Sequence, residues 1–259
     1  MIKDKKVSIL KIGDYMKTNK YIFIFYITSI ILLLYSGYLI VDWILENKTN
    51  DNVIEHTVSI TNIVEEKDKY PYIKTDFKKL LKENSKTVGW IQVPNTNINY
   101  PVLQTTDNDY YLTHNFYNQD NSAGWVFMDY RNDSKNLDTN TLLYAHNRLD
   151  ESMFGTLKNT LNEEWYKNNN YIYYNTLDTM NTYEVFSVYT INVNDFINAI
   201  NYKSDEDFKN YLVTISDKSD INKEVDLSNT EKIITLYTCS GYNNERTILH
   251  AKLVQTKKA

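Results

Sequence analysis

The sequence predicts a mainly β protein: a single barrel or sandwich of about eight short strands, preceded by one membrane-spanning helix. Three observations predict it. Residues 21–41 are an uncharged apolar run, β-branched and aromatic runs separated by Asn, Asp, Gly and Ser clusters follow from Val88, and one amphipathic helical pattern interrupts them. The expected strands are VGWIQV, INYPVLQ, GWVFMDY, NTLLYAHN, YIYYNT, TYEVFSVYTIN, KIITLYT and RTILHAKLVQ.

The apolar run from Tyr21 to Val41 has the length of a membrane span. A helix of this length rises about 1.5 Å per residue and extends roughly 31 Å, the thickness of a hydrocarbon core. Lysines dominate residues 1–20, whereas Asp42 and Glu46 follow the run, so the N-terminus is expected in the cytosol and the rest outside the cell membrane. No small-residue cleavage site follows, which favours an uncleaved signal anchor over a removed signal peptide.

The charge balance separates the cytosolic end from the remainder. The whole chain carries a formal charge of −5, and residues 1–20 carry +4 from six Lys and two Asp, which leaves −9 for the rest. An acidic extracellular part argues against nucleic-acid binding. We expect a polar stalk over residues 42–72 and one packed domain over residues 73–259.

Two short helices are expected beside the strands. After a Thr or Asp cap, Phe77, Leu80 and Leu81 follow helical spacing in the segment from Thr75 to Lys82. The second helix, from Ser204 to Ser216, is an insertion before the penultimate strand. It places four apolar residues on one face: Phe208, Tyr211, Leu212 and Ile215.

A single cysteine, Cys239, follows the strand KIITLYT. A lone thiol makes no internal disulfide, so outside the cytosol it is either buried and inert or a nucleophile. The nucleophilic form is the thiolate, and only a few per cent of an unperturbed thiol is ionised at neutral pH. A reactive Cys239 therefore needs a neighbouring base or cation.

Four histidines are candidates for that base. His56 lies in the expected stalk and His114 in a polar loop. His146 ends the strand TLLYAH, where it is well placed to line a groove, and His250 lies four residues from Arg246 on the same face of the last strand. On sequence periodicity alone, His146 and His250 are equally good candidates for the base that activates Cys239.

Arg246 can supply the donor that thiol chemistry on a carbonyl requires. Its guanidinium stays protonated and offers several N–H groups to a developing oxyanion. Taken alone, an arginine at this position is more often a surface residue paired with a carboxylate such as Glu245 or Glu206.

Taken together, these residues resemble the His, TLxTC and Arg signature of the sortases: YAHN ending at Asn147, TLYTC ending at Cys239, and Arg246. The resemblance covers residues 84–255. Five further features are similar to class B sortases in particular: VGWI, INYPVLQ, DNDYYL, FMDYRN and the helix between the two late strands. It implies a closed sortase-type β-barrel.

The resemblance also implies the site. Cys239 would be the nucleophile, His146 the acid and base, and Arg246 the oxyanion-stabilising residue. Ala145 stands where the family usually has Gly, which is tolerated unless the backbone there needs a positive φ. The expected substrate-binding residues are Asn108, Leu112, Tyr211, Tyr237, Thr238 and Ser240; Tyr211 equally fits a core position on its helix.

The implied activity is transpeptidation without cofactor or metal. The enzyme would cleave a C-terminal sorting motif of secreted proteins after Thr, form a thioacyl-enzyme, and transfer the protein to an amine of peptidoglycan or its lipid-linked precursor. Such a wall implies a Gram-positive type of envelope. Asp107 and Asp109 lack the glycine and the distal glutamate of a calcium loop, and Asp129 and Asp133 are expected as turn or strand-end residues, so we expect no metal site.

Two alternatives remain open at this point. A sortase could polymerise pilins or mainly hydrolyse its substrate, with the same chemistry and a different acceptor. A non-catalytic, membrane-tethered β-domain that binds a partner would leave Cys239 buried and unreactive. Labelling of the thiol in the folded protein distinguishes the second alternative.

Overall fold

The computed structural model describes residues 2–66, 68–195, 199–221, 225–239 and 244–259, with side chains from Lys20 onward and backbone only for Cys239. The chain divides into two compact units, residues 1–49 and 50–259. Each unit is described by itself.

Helix α1, Ile2–Ile60, contains the apolar run and continues beyond it. Its part from Lys20 to Ile60 has a mean hydropathy of 2.1 in its most apolar window, and none of that window is buried. By length and composition this helix can cross a bilayer, as predicted. The exposed apolar side chains from Tyr21 to Leu45 are consistent with a lipid environment.

A closed barrel is the core of the second unit, as predicted. Its order is β10-β8-β7-β3-β4-β5-β6-β9, with parallel pairing of β4 with β5 and of β6 with β9 and antiparallel pairing elsewhere. The strands are β3 Thr87–Gln92, β4 Asn99–Leu103, β5 Phe127–Met128, β6 Asn140–His146, β7 Tyr171–Thr176, β8 Thr179–Asn192, β9 Ile233–Cys239 and β10 Glu245–Lys258. Closure removes the exposed edges that an open sheet of these short strands would present.

The segment expected as a stalk has more structure than its polar composition predicts. Helix α1 runs to Ile60, and a hairpin of β1 Ile63–Glu66 and β2 Tyr72–Thr75 follows. Val53 and Ile73 are buried in the main core, so residues from Asn50 onward pack with the barrel. His56, expected in the stalk, bonds Glu83 through Nε2 at 3.1 Å.

Two of the short helices were expected and one was not. Helix α2, Lys78–Glu83, starts after Asp76, whose carboxylate accepts the Lys78 amide at 3.0 Å. Helix α3, Glu163–Asn168, is capped by the Asn162 side chain. Its two buried residues, Trp165 and Tyr166, are adjacent, so the segment has no apolar pair at the spacing of three or four residues that predicts a helix.

Helix α4, Asp205–Asp217, is the predicted insertion, and it covers the outer face of the barrel. The Ser204 hydroxyl caps it by accepting the Asp207 amide. The four predicted apolar residues are all buried. The Ile215 carbonyl accepts the Ser187 hydroxyl at 2.6 Å, which fixes the C-terminal end of α4 to β8.

Trp90 gives a direct test of the barrel core. Its side chain is fully buried in β3, and its indole N–H donates to Asn99 Oδ1 at 2.8 Å. We expect Trp90→Ala to lower the free energy of unfolding of the barrel by about 3–5 kcal/mol through lost burial and a cavity.

Denaturant unfolding of the full chain in detergent micelles measures this. Trp43→Ala is the matched control, because Trp43 is 54% exposed and lies in the first unit. A loss below about 1 kcal/mol for Trp90→Ala would contradict the packing described here.

Candidate active site

Three neighbouring strands bring the predicted catalytic positions into one row. In the parallel pair, His146 of β6 is the register partner of Cys239 of β9. In the antiparallel pair, Ile248 of β10 is the partner of Tyr237. Continuing this register two residues back along β10 and two residues forward along β9 brings Arg246 opposite Cys239, and the Thr247 amide donates to the Thr238 hydroxyl at the position between the two pairs. Adjacent strands lie about 4.8 Å apart, so the three backbones are immediate neighbours.

The His146 ring is fixed through its Nε2 atom. This nitrogen lies 2.7 Å from the Leu112 carbonyl oxygen, and His146 is only partly buried. A carbonyl oxygen only accepts, so Nε2 carries the hydrogen and the neutral ring has its lone pair on Nδ1. Nδ1 is therefore the nitrogen that can gain or lose a proton.

The segment that offers the Leu112 carbonyl is itself well held. A short 3₁₀ helix, Tyr110–Leu112, begins after Asp107, whose Oδ1 accepts two backbone amides. Gly124 packs against it with φ +59°, and a Cβ atom there would lie 2.4 Å from the Tyr111 carbonyl oxygen. Only glycine allows this approach, so the segment and the chain behind it are closely packed.

Arg246 retains capacity to donate. Its Nη1 donates to the Glu245 carbonyl at 2.9 Å, and its Nε is buried with no hydrogen-bond partner among the described residues. A buried N–H without a partner is costly, and an anionic oxygen would satisfy it. The guanidinium can therefore serve as an oxyanion donor.

His250 is a core residue. It is fully buried, Tyr189 OH lies 2.9 Å from Nε2, and Thr235 Oγ1 lies 2.8 Å from Nδ1. The Tyr211 ring of α4 packs edge-on against the imidazole, 6.3 Å between centroids. His250 does share the outer face with Arg246, as periodicity indicates, but α4 covers it. This burial favours His146 over His250 as the base, the same choice that the resemblance implies.

Two predicted substrate-binding residues lie close to the row. Tyr237 is the register partner of Tyr144, and their rings meet edge-on at 5.7 Å. Leu112 lies beside His146 through its carbonyl. Asn108, four residues earlier, bonds Asp129 through Nδ2 at 3.0 Å.

Three other predicted substrate-binding residues are placed differently. Tyr211 is 7% exposed and packs between Tyr202 and His250, the core position that its helix face also allowed. Thr238 is 1% exposed, and its hydroxyl bonds the Thr247 amide across the sheet at 2.9 Å. Ser240 lies outside the described residues. Substrate contact by these three stays a prediction.

The alanine before His146 fits its position. Ala145 is buried within β6, where the extended backbone has negative φ and needs no glycine. The departure from the usual residue therefore leaves the strand intact.

Sequence reasoning missed two groups near the row. The Leu112 carbonyl belongs to the backbone, which every residue has, so the residue type at position 112 does not indicate a contact with His146. Asp129, expected as a turn or strand-end residue, does follow β5, but its carboxylate is fully buried and bonds Arg131 and Tyr144. Asp129 directly follows a buried strand, and Arg131 lies two residues later; this pattern could have predicted a buried carboxylate paired with arginine.

Comparisons with known proteins agree with the strand arrangement. The sortase domain family matches residues 91–254. This chain belongs to the sortase family. The sortases are cysteine transpeptidases that process cell-wall proteins, and this one is of class B. It is 33% identical to sortase B of Listeria monocytogenes over 233 residues, covering 86% of this chain and 92% of that protein.

Solved sortase structures have the same barrel. A Bacillus anthracis protein similar to sortase B superposes with a TM-score of 0.70 at 38% identity, covering 82% of this chain and 97% of that one. A Staphylococcus aureus sortase B–substrate complex gives 0.65 at 34% identity, covering 69% and 84%. The closed barrel of this sortase is thus the barrel of its relatives.

The burial of His250 predicts a pH-dependent stability. Burial, with a smaller contribution from Lys218, lowers the pKa of His250 from its ordinary 6.5 to about 3. The unfolded chain binds this proton below pH 6.5 and the folded chain does not, so stability is lost as pH falls through 6.5 towards 3. Between pH 7 and pH 5 this contribution is about 2 kcal/mol.

Unfolding free energies of the full chain at the two pH values measure this. His250→Gln should reduce the difference by that amount, whereas His56→Gln, which alters an exposed histidine, should not. An unchanged difference in His250→Gln would show that His250 binds its proton equally in both states.

Proposed function

We propose that this sortase is a membrane-anchored transpeptidase. It cleaves a C-terminal sorting motif of secreted proteins after Thr and attaches them covalently to peptidoglycan, with Cys239, His146 and Arg246 as its catalytic residues. The observation that carries the proposal is the strand register, which aligns these three positions on β6, β9 and β10.

The first step forms a thioacyl-enzyme. The proton of the Cys239 thiol passes to Nδ1 of neutral His146, the resulting thiolate attacks the carbonyl carbon of the motif Thr, and the carbonyl electrons move to oxygen. Arg246 stabilises this oxyanion; its buried Nε, which has no hydrogen-bond partner among the residues that the structure describes, can donate to it. The C–N bond breaks as His146 gives a proton to the leaving amine, and a thioester to Cys239 remains.

The second step releases the product. An amine of the wall or its lipid-linked precursor attacks the thioester, and neutral His146 accepts the proton that the nitrogen loses. The C–S bond breaks, an amide forms, and the thiolate returns. The Nε2–Leu112 hydrogen bond supports this cycle, because it keeps one ring nitrogen bonded while Nδ1 exchanges the proton.

The proposed location follows from the sequence flanks. Lysine-rich residues 1–20 favour a cytosolic N-terminus, with helix α1 as the anchor and the barrel on the outer surface. There the enzyme would meet both secreted proteins and wall precursors.

Peptide cleavage by the full chain in detergent micelles tests the proposal. A library of quenched fluorescent peptides with Thr before the scissile bond is used with and without triglycine as the amine. We expect cleavage after Thr and, with triglycine, its addition to the acyl fragment. Cys239→Ala and His146→Ala should abolish both, and Arg246→Lys should lower kcat by about 10²–10³-fold.

His56→Gln is the matched histidine control and should retain full activity, since His56 lies with Glu83 and away from the row. Cleavage that persists in Cys239→Ala would disprove the nucleophile. Cleavage without any triglycine adduct would support the mainly hydrolytic alternative, and preference for a pilin lysine would support the polymerising one.

A further inference from the structure

The buried carboxylate of Asp129 is the hub of a hydrogen-bond network beside the catalytic row. Its side chain has no exposed surface. Oδ1 accepts the backbone amide and Nε of Arg131, each at 2.9 Å. Oδ2 accepts Arg131 Nη2 at 2.7 Å, Tyr144 OH at 2.9 Å and Asn108 Nδ2 at 3.0 Å. The two oxygens thus accept five hydrogen bonds.

Asp129 stays charged although it is buried. Burial alone would raise its pKa, but hydrogen bonds from Arg131 and Tyr144 and the charge of Arg131 outweigh it and hold the pKa below its ordinary value. Arg131 is 38% exposed, so the pair is only half removed from solvent. An ionised carboxylate is the side chain that can accept so many bonds.

Oδ2 joins the segment that contains Asn108 to strand β6, which contains His146. Asn108 belongs to the segment that ends at Leu112, and the Leu112 carbonyl accepts His146 Nε2. Tyr144 lies two residues before His146 on β6, on the same strand face. Three hydrogen bonds and two short stretches of chain therefore form a closed ring through the histidine.

Asn108 is held from both sides of its amide. While Nδ2 donates to Asp129, Oδ1 accepts the Tyr130 amide at 3.0 Å. This fixes the start of the 108–112 segment and hence the position of its last carbonyl. If the Asp129 bond were lost, the segment would keep the Tyr130 bond, its local turn and the Trp125 amide bond to the Tyr111 carbonyl, but it would have lost its link through Asp129 to Tyr144 of β6.

We propose that Asp129 is a positioning residue of the transpeptidation reaction: by joining Asn108 to Tyr144, its carboxylate holds the Leu112 carbonyl against His146 and so keeps the histidine in its Nε2–H form. The inference rests on the proposed function for its catalytic consequence and on the geometry alone for the state of the ring. The described hydrogen bonds of the Asp129 carboxylate go to Arg131, Tyr144 and Asn108, so we assign it a positioning role and not a role in the chemical step.

Asp129→Asn tests the inference. An amide offers one oxygen and an NH₂ group, so either Arg131 or the pair Tyr144 and Asn108 would face a donor instead of an acceptor. The full chain in micelles, labelled with ¹⁵N-histidine, is measured at a pH where imidazole is neutral. His146→Gln assigns the signal.

We expect distinct Nδ1 and Nε2 shifts for His146 in the wild type and shifts that move towards each other in Asp129→Asn as the tautomers mix. In peptide cleavage, kcat should fall about 10- to 100-fold, with a smaller change in KM. Thr182→Val is the matched control. It removes a buried hydroxyl bond to the Pro71 carbonyl and should change neither the His146 shifts nor kcat.

Unchanged His146 shifts in Asp129→Asn would overturn the inference, as would a loss of activity no larger than the loss of folded protein. If Asp129→Asn fails to fold, Tyr144→Phe removes one bond of the ring and should move the shifts and kcat in the same direction. Unaltered values there would also overturn it. If the wild type cleaves no peptide, the proposed function fails, while the nitrogen shifts still decide the link between Asp129 and His146.

Discussion

The parallel pairing of β6 with β9 is the constraint on which the site depends. Seven consecutive residue pairs, from Asn140 with Ile233 to His146 with Cys239, join segments 93 positions apart in the chain. A slip of one residue would turn every side chain of one strand to the opposite face and separate the histidine from the cysteine. A buried bond at the start of the pair opposes such a slip, since the Thr235 hydroxyl donates to Asn140 Oδ1 at 2.8 Å. The Thr235–Asn140 bond thus fixes the register at one end of the strand pair, and this register aligns His146 with Cys239 at the other end.

Helix α4 covers one end of the outer face of these strands and leaves the other end more exposed. At one end, helix α4 covers His250, whose two ring nitrogens are bonded to Tyr189 and Thr235. At the other end, where α4 no longer reaches, His146 is only partly buried. His250 therefore contributes to packing, whereas the His146 ring is partly open to solvent and substrate. Coverage by one inserted helix separates a structural histidine from the one that we propose to be catalytic.

Local patterns predicted most of the fold, because alternation, helical spacing and an uncharged 21-residue run are properties of short segments. They did not predict the β1–β2 hairpin, whose strands IVEE and YIKT are too short and polar to alternate clearly. Nor did they choose between His146 and His250, since both lie on the same face and only tertiary packing buries one. Resemblance to the sortases supplied that choice. The Leu112 carbonyl and the burial of Asp129 depend on contacts between distant segments, which no single-sequence pattern encodes.

The proposed reaction requires Cys239 to form a covalent thioacyl intermediate with a sorting peptide. Intact mass spectrometry of the full chain, acid-quenched shortly after mixing with a cleavable peptide, detects this intermediate. We expect a mass gain equal to the fragment that ends in Thr, mapped to Cys239 by digestion and removed by triglycine. Peptide turnover without any adduct on Cys239, or an adduct on another residue, would contradict the proposed reaction.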